Sequence, residues 1–317
     1  MTDDGVHLAV LTVALLRDDG DRALLDLQLE RIRRHTDHPV TIHVAALRPP
    51  AGLLDHLTRQ PDVHLVDVAP VSDRGSREHA HQLDALLRAA RTTPATHFAT
   101  FDLDSFPIAD GWLGGILADL PPGAGVAGVL RRENGDICLP HPSGTVLTRA
   151  FVEDHDVSFS PDSDGTSEFR RFLHATGQAG DTGIRLAYAL WRDALPWLPL
   201  ERTNAVDLHP VIAGVYGDRI FHLGAGTRAA VFRADLRRSR VHQLTRPLAR
   251  LPVGSGRTRQ VKRRVLRTLV GPAERRIVER NQVVAMEVRR ALLEDPDRFL
   301  RRLRHGDGAG GDADNLS

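Results

Sequence analysis

The segment from Thr96 to Pro107 reads T-H-F-A-T-F-D-L-D-S-F-P, an apolar run that stops at two aspartates one residue apart. In an extended chain, residues i and i+2 project from the same side, so Asp102 and Asp104 converge at the end of a strand. Their charges repel unless a cation lies between them. Mg²⁺ or Mn²⁺, hard ions that prefer oxygen ligands, would bridge the pair to a diphosphate and take up the charge of a departing nucleotide. The plain alternative is that the two aspartates cap a helix starting near Asp110 or solvate a loop, but two caps at the end of one buried strand would be redundant.

Cys138 is the single cysteine, so there is no internal disulfide and no thiolate-rich metal site; any metal must be held by oxygen and imidazole. Of the 16 histidines, His222 is the candidate third ligand. It ends an apolar run and precedes Gly224-Ala225-Gly226, small residues that let backbone approach a ligand closely. His209, followed by Pro210, is its rival, and Arg228 is available for a phosphate. Arg77 and His81 stand four apart, so both could face a nucleotide from one side of a helix, or belong to a solvated face.

The elements that must position these residues are legible in the first 130 positions. Strand-length apolar runs, Val6 to Leu16, Val40 to Ala46, Val63 to Ala69, His97 to Phe101 and Gly125 to Leu130, alternate with helical stretches at Asp21 to His35 and Gly75 to Arg91. That alternation predicts an α/β fold with a mostly parallel sheet and flanking helices. Ligands of such sheets bind at the carboxyl ends of the strands, where Asp102 falls. Beyond Leu130 the pattern loosens into turn-rich segments, Arg131 to Ser143 and Ser158 to Ser167. A helix from Thr182 to Ala194, a short strand from Arg219 to Leu223 and basic helices from about Thr258 to Arg304, interrupted near Gly271-Pro272, complete the reading.

The stretch G-S-R-E-H-A-H-Q-L-D-A-L-L-R-A-A from Gly75 to Ala90, followed by F-D-L-D-S-F-P from Phe101 to Pro107, resembles the nucleotide-side helix, fourth strand and D-x-D motif of GT-A glycosyltransferases, most nearly the family 2 type. The resemblance covers roughly residues 6 to 225. It implies a Rossmann-like GT-A domain and transfer of a hexosyl group from a UDP- or GDP-linked sugar to an acceptor hydroxyl. By the same resemblance, Asp102 contacts the ribose or a metal-bound water, Asp104 ligates the metal, and Thr12 and Val13 line the base pocket through backbone groups. The late histidine in F-H-L-G-A-G-T-R, Phe221 to Arg228, closes the metal site, and Pro142-Ser143-Gly144 forms a floor under the sugar. Gly180-Asp181-Thr182-Gly183 resembles the family's acidic helix start, which makes Asp181 the base that takes a proton from the acceptor and inversion the expected outcome. Asp is also a preferred helix N-cap, and Asp162 or Asp164 in a Pro/Gly-flanked turn could supply the acid instead. One departure concerns the base: Ala45-Ala46-Leu47-Arg48 stands after the second strand, where family members often carry an acid.

At 317 residues with 41% hydrophobic content the chain can bury a sizeable core. The expected layout is a catalytic domain over 1–235, a basic helical extension over 236–305 and a disordered tail over 306–317. No apolar stretch reaches the roughly 20 residues of a membrane span, and acidic Met1 to Asp4 does not open a secretory leader, so the expected location is cytoplasmic. Charge is divided: residues 1–236 hold 22 Lys/Arg against 32 Asp/Glu, whereas 237–305 hold 20 against 6. The basic helices therefore suit a peripheral contact with the inner face of a membrane, the acidic body, or a second copy in a homo-oligomer; nucleic acid is not expected. Two other activities share single features. A haloacid dehalogenase-type phosphatase also uses D-x-D, but the lone lysine, Lys262, lies in the basic region. A sugar-nucleotide pyrophosphorylase would need a glycine-rich loop where Leu15-Leu16-Arg17-Asp18 stands. A GT-A domain that only binds a sugar nucleotide or carbohydrate is the non-catalytic alternative.

Overall fold

A computed structural model describes residues 5–178, 180–224, 231–250 and 256–306. Among the described residues the strands are β1 (Leu8–Leu15), β2 (Val40–Leu47), β3 (Val63–Leu65), β4 (His97–Asp102), β5 (Ser105–Pro107), β6 (Val126–Val129), β7 (His141–Thr148), β8 (Leu198–Leu200), β9 (Gly214–Tyr216) and β10 (Ile220–His222). The helices are α1 (Asp19–His35), α2 (Leu53–Thr58), α3 (Ser76–Arg91), α4 (Trp112–Asp119), α5 (Arg149–Asp154), α6 (Ser167–Thr176), α7 (Ile184–Arg192), α8 (Arg233–Arg238), α9 (Arg240–Arg250), α10 (Gly256–Glu294) and α11 (Pro296–His305).

The main sheet runs β3-β2-β1-β4-β7-β6-β8, with β7 antiparallel to both neighbours and the other pairs parallel. Side chains alternate along β1: Leu8 and Val10 enter a core with Leu25, Leu29 and Trp112, while Ala9, Leu11 and Val13 enter another with Leu83, Leu86 and Phe151. The sheet is thus covered by helices on both faces, the mostly parallel α/β architecture expected from the sequence. A smaller antiparallel sheet, β5-β10-β9, hangs from the end of β4. Its residues Phe106 and Phe221, with Leu223 just beyond β10, share a third core with Leu24, Val288, Leu292, Phe299, Leu300 and Leu303, so α10 and α11 pack on the body.

Three expectations need correction. The segment from His141 is not loop but β7, the antiparallel strand inserted between β4 and β6; His141, Ser143 and Thr145 are buried along it, and polar or small residues in an interior strand hide the apolar signature. The strand expected to run to Ala69 stops at Leu65. The helix expected to break at Gly271-Pro272 continues through both, for 39 residues, because Thr268, whose carbonyl a proline at 272 cannot serve, lies on the exposed side. The break comes at Asp295, whose carboxylate accepts from Arg298 N at 3.0 Å and caps α11. Residues 307–317 lie outside the described residues.

The third core gives a direct test of this packing. Leu292→Ala should lower unfolding stability by about 2–5 kcal/mol in urea titrations, as burial of a fully enclosed leucine demands; a loss well below that range would mean that α10 does not rest on the body.

Candidate active site

The carboxyl ends of β1, β2 and β4 open on a cavity of about 560 Å³, lined among others by Val13, Leu15, Leu47, Arg48, His79, Asp102, Asp104, Arg131, His141, Asp181 and His222. The turn that carries the two aspartates is fixed from beneath. Gln28, buried on α1, donates its amide to Asp102 O at 2.5 Å and to Ser105 O at 2.8 Å. Thr12 Oγ1 lies 2.7 Å from Phe101 O and 3.1 Å from Gln28 Oε1, one hydroxyl proton serving two acceptors. Thr12 is therefore placed below the floor of the cavity, and its neighbour Val13, paired in register with Asp102, reaches the wall.

His222 arrives by strand pairing. β10 runs antiparallel to β5 with His222 opposite Ser105, and Leu223 N donates to Asp104 O at 2.9 Å. Its Nε2 then stands 3.7 Å from Asp104 Oδ1 and 3.9 Å from Asp102 Oδ2. Among the described residues, Asp102, Asp104 and His222 form a group of ligand atoms close enough to hold one metal ion. Two carboxylates and an imidazole are the donor set that Mn²⁺ accepts readily and Mg²⁺ accepts through its oxygens, so the residues fit the expected cofactor. His209 lies elsewhere, buried beside Asp235 with its Nδ1 accepting from Val211 N. At Gly224, with φ 81°, a Cβ would meet Val211 O at 2.7 Å, so the turn that releases the chain after His222 requires glycine.

Two further histidines crowd the pair. His79 Nε2 lies 3.4 Å from Asp102 Oδ1, and His141, stacked on His222, lies 3.9 Å from Asp102 Oδ2. Ser143 N donates to His141 Nδ1 at 3.2 Å, so that nitrogen carries no proton and the 3.9 Å approach is not an ion pair. Burial pushes His141 well below the ordinary histidine value, with Arg131 and the neighbouring histidines adding to it. Burial likewise holds His222 down at about 4, against the pull of Asp102, leaving a neutral imidazole able to ligate. Burial raises the Asp102 carboxyl, opposed by His79 and His222 and reinforced by Asp104. A bound cation would reverse that penalty.

Asp181 stands across the cavity. It is not the N-cap of α7, a place taken by Gly183 in a left-handed conformation, and the helix begins at Ile184 instead of Thr182. Its Oδ1 accepts from Ser76 Oγ at 2.9 Å and from Thr182 N at 2.8 Å, and its Oδ2 lies 3.8 Å from Arg131 Nη2. Arg131 is itself gripped by Asp136 at 2.8 Å. Burial acts against its charge, but Asp136, Asp181 and Tyr216 more than offset it, so a fixed cation stands beside Asp181 with its charge also acting on Asp102. Pro142 lines the cavity, whereas Ser143 and Gly144 are buried in β7.

Several residues singled out in the sequence lie apart. Arg77 is exposed and paired with Asp162 at 2.8 Å, and neither it nor His81 lines the cavity; from the same helix Ser76, Glu78 and His79 do. Asp164 accepts from Thr166 N in an exposed turn. Arg228 falls outside the described residues. The residues not foreseen are Arg48, Arg74, Glu78, His79, Arg131 and His141. Arg48, at φ 50° after β2, and Arg74 both converge on Glu78, at 2.7 and 3.2 Å, so the acid absent from the strand end is supplied by α3.

No family model matches the chain, and no curated protein matches it. Among solved structures it is similar to a mannosyltransferase from Pyrobaculum calidifontis in complex with GDP-Man and Mn²⁺, at 14% identity over 93% of this chain and 84% of that one, with a TM-score of 0.43. It is also similar to mouse xyloside xylosyltransferase 1, at 11% identity over 62% and 84% of the two chains (TM-score 0.38), and to S. aureus TarS in complex with UDP-GlcNAc, at 9% over 50% and 51% (TM-score 0.35). These likenesses lie within the GT-A class that the sequence resembles.

His222→Ala should weaken Mn²⁺ binding in calorimetry on the order of a hundredfold, while His209→Ala leaves it unchanged. Affinity should fall on acidification beginning above the ordinary carboxylate range, because the raised Asp102 group takes up its proton early. Equal losses for both histidine variants would break the assignment.

Proposed function

We propose that this protein is a metal-dependent glycosyltransferase that moves a hexosyl group from a nucleoside diphosphate sugar, UDP- or GDP-linked, to an acceptor hydroxyl with inversion. The observation that carries the reading is the pairing, across one cavity, of a metal-ligand cluster with a separate carboxylate, Asp181, held in place by Ser76 and Thr182.

Asp102, Asp104 and His222 would hold Mn²⁺ or Mg²⁺, which supplies Lewis-acid stabilisation of the diphosphate leaving group. Gly75 and Ser76 bring the N-terminus of α3 to the cavity, where its unpaired amides and dipole favour phosphate oxygens. Leu15, Leu47 and Val13 offer apolar walls for a base, with Arg48, Arg74 and Glu78 at their edge. On the other side Asp181 takes the proton of the acceptor hydroxyl as its oxygen attacks the anomeric carbon, and the bond to the diphosphate oxygen breaks away from it. Arg131 faces Asp181 and fixes the direction of the carboxylate. The phosphatase reading draws less support: Arg131 could serve as its phosphoryl-binding cation, but that reading gives Asp181, across the cavity, no part in the reaction.

Asp181→Asn should leave donor binding intact and slow transfer on the order of a hundredfold or more; unchanged turnover would move the base elsewhere. Thermal stability against UDP- and GDP-sugars with Mn²⁺ or chelator should rise for one nucleotide only when metal is present, and Asp104→Asn should abolish that rise. A full rise in the Asp104 variant would remove the metal from the reaction.

A further inference from the structure

Between Leu236 and Ala273 the sequence holds eleven Lys/Arg and no Asp or Glu. Over this stretch α9 and the first half of α10 lie against each other, joined by His242 and Glu274 at 3.2 Å. At 3.6 residues per turn, Val261, Val265, Leu269, Val283 and Met286 fall within an arc of about 100° on α10. All five are between 43% and 71% exposed, and Leu244 on α9 is 81% exposed. Exposed Arg264, Arg275, Arg276 and Arg290 share or flank that arc, as do exposed Glu279 and Glu287 toward its C-terminal end, so the positive charge is concentrated on the first half of the helix. The opposite side of α10 is fully engaged: Val288 and Leu292 are buried in the third core, Arg280 and Asn281 bond Asp235, and Arg289 pairs with Asp18. The helix is therefore fixed on the body with its apolar and cationic face outward.

We propose that this face of α9 and α10 docks the protein on an anionic lipid surface. The argument is one of charge and polarity together. A cationic helix face with a narrow aliphatic stripe is the form that lies in a bilayer interface, the stripe entering the acyl boundary while arginines meet lipid phosphates. Nucleic acid would use the cations but leave the aliphatic residues in water, since its backbone rewards charge and not apolar burial. A second copy placed face to face would bring the same arginines together. The proposal is independent of the glycosyl-transfer reading, because it concerns none of the cavity residues.

The test uses the full chain and vesicle flotation. Vesicles of phosphatidylglycerol and phosphatidylcholine in equal parts should bind the protein, phosphatidylcholine alone should not, and raised salt should weaken binding. The double variant Val265→Glu with Leu269→Glu should weaken it by about tenfold or more while leaving the urea unfolding midpoint unchanged, since both positions are exposed. Should that variant fail to fold, Arg264→Gln with Arg275→Gln carries the same expectation through charge. Three results would overturn the proposal: no binding to the anionic vesicles, binding indifferent to both variants, or a dimer in light scattering that the aliphatic substitutions dissolve. Tighter binding to a DNA duplex, insensitive to the aliphatic substitutions, would overturn it in favour of nucleic acid.

Discussion

Two carboxylates cannot be set side by side at the end of a buried strand unless the turn between them is held by something stronger than their repulsion. Here that restraint centres on one amide, assisted by the Ser105 hydroxyl, which also donates to Asp102 O at 3.1 Å. Gln28 reaches from α1 and ties the carbonyls on both sides of the turn, Asp102 O and Ser105 O, while its oxygen meets Thr12 from β1. Because unmet buried polar groups cost several times what a satisfied bond contributes, the three partners specify one another. The position of β5 follows from that turn, the pairing of β10 follows from β5, and His222 follows from β10. Remove the amide and the order of placement has no starting point.

The same crowding explains the electrostatics. Burial works against the charged forms of Asp102, His141 and His222, which leaves two neutral imidazoles beside the carboxylates: His222 held at about 4 and His141 lower than usual, its Nδ1 kept unprotonated by Ser143. The site's one deeply placed permanent cation among the residues described here, Arg131, is pinned by Asp136 on the Asp181 side. Negative charge is thereby concentrated at Asp102 and Asp104 and balanced at Asp181. The sequence disguises this because Arg131 and Asp136 look like an ordinary turn.

The fold was readable where chemistry and periodicity agreed. The strands β1, β2, β4 and β6 and the helices α1 and α3 announce themselves by apolar spacing, and Asp102 and Asp104 by position at a strand end. His222 was legible through the glycines after it. What escaped did so for definite reasons. β7 runs against the sheet, so His141 reaches the site at the start of its strand, where a search of carboxyl ends does not look. On α3 spacing selects Arg77 and His81 as a pair, but only packing decides that Glu78 and Gln82 turn inward, which carries His79 to the cavity and leaves Arg77 to Asp162. Arg48 was seen only as a missing acid; that Glu78 replaces it is a tertiary fact.

The distance along the chain between the metal-ligand residues has a consequence for how the protein comes into being. Asp102 and Asp104 emerge early in synthesis, whereas the imidazole that completes the cluster belongs to β10, and β10 pairs with β5 only once the intervening β6, β7 and α7 have been made. Contacts of such sequence separation close late, since loop entropy must be met before they give anything back. A nascent chain that stops short of β10 carries the two carboxylates with His79 and His141 but without His222, so the group of three ligand-bearing residues is incomplete on it. Completion of that group is thus confined to chains in which β10 has been made and has paired with β5.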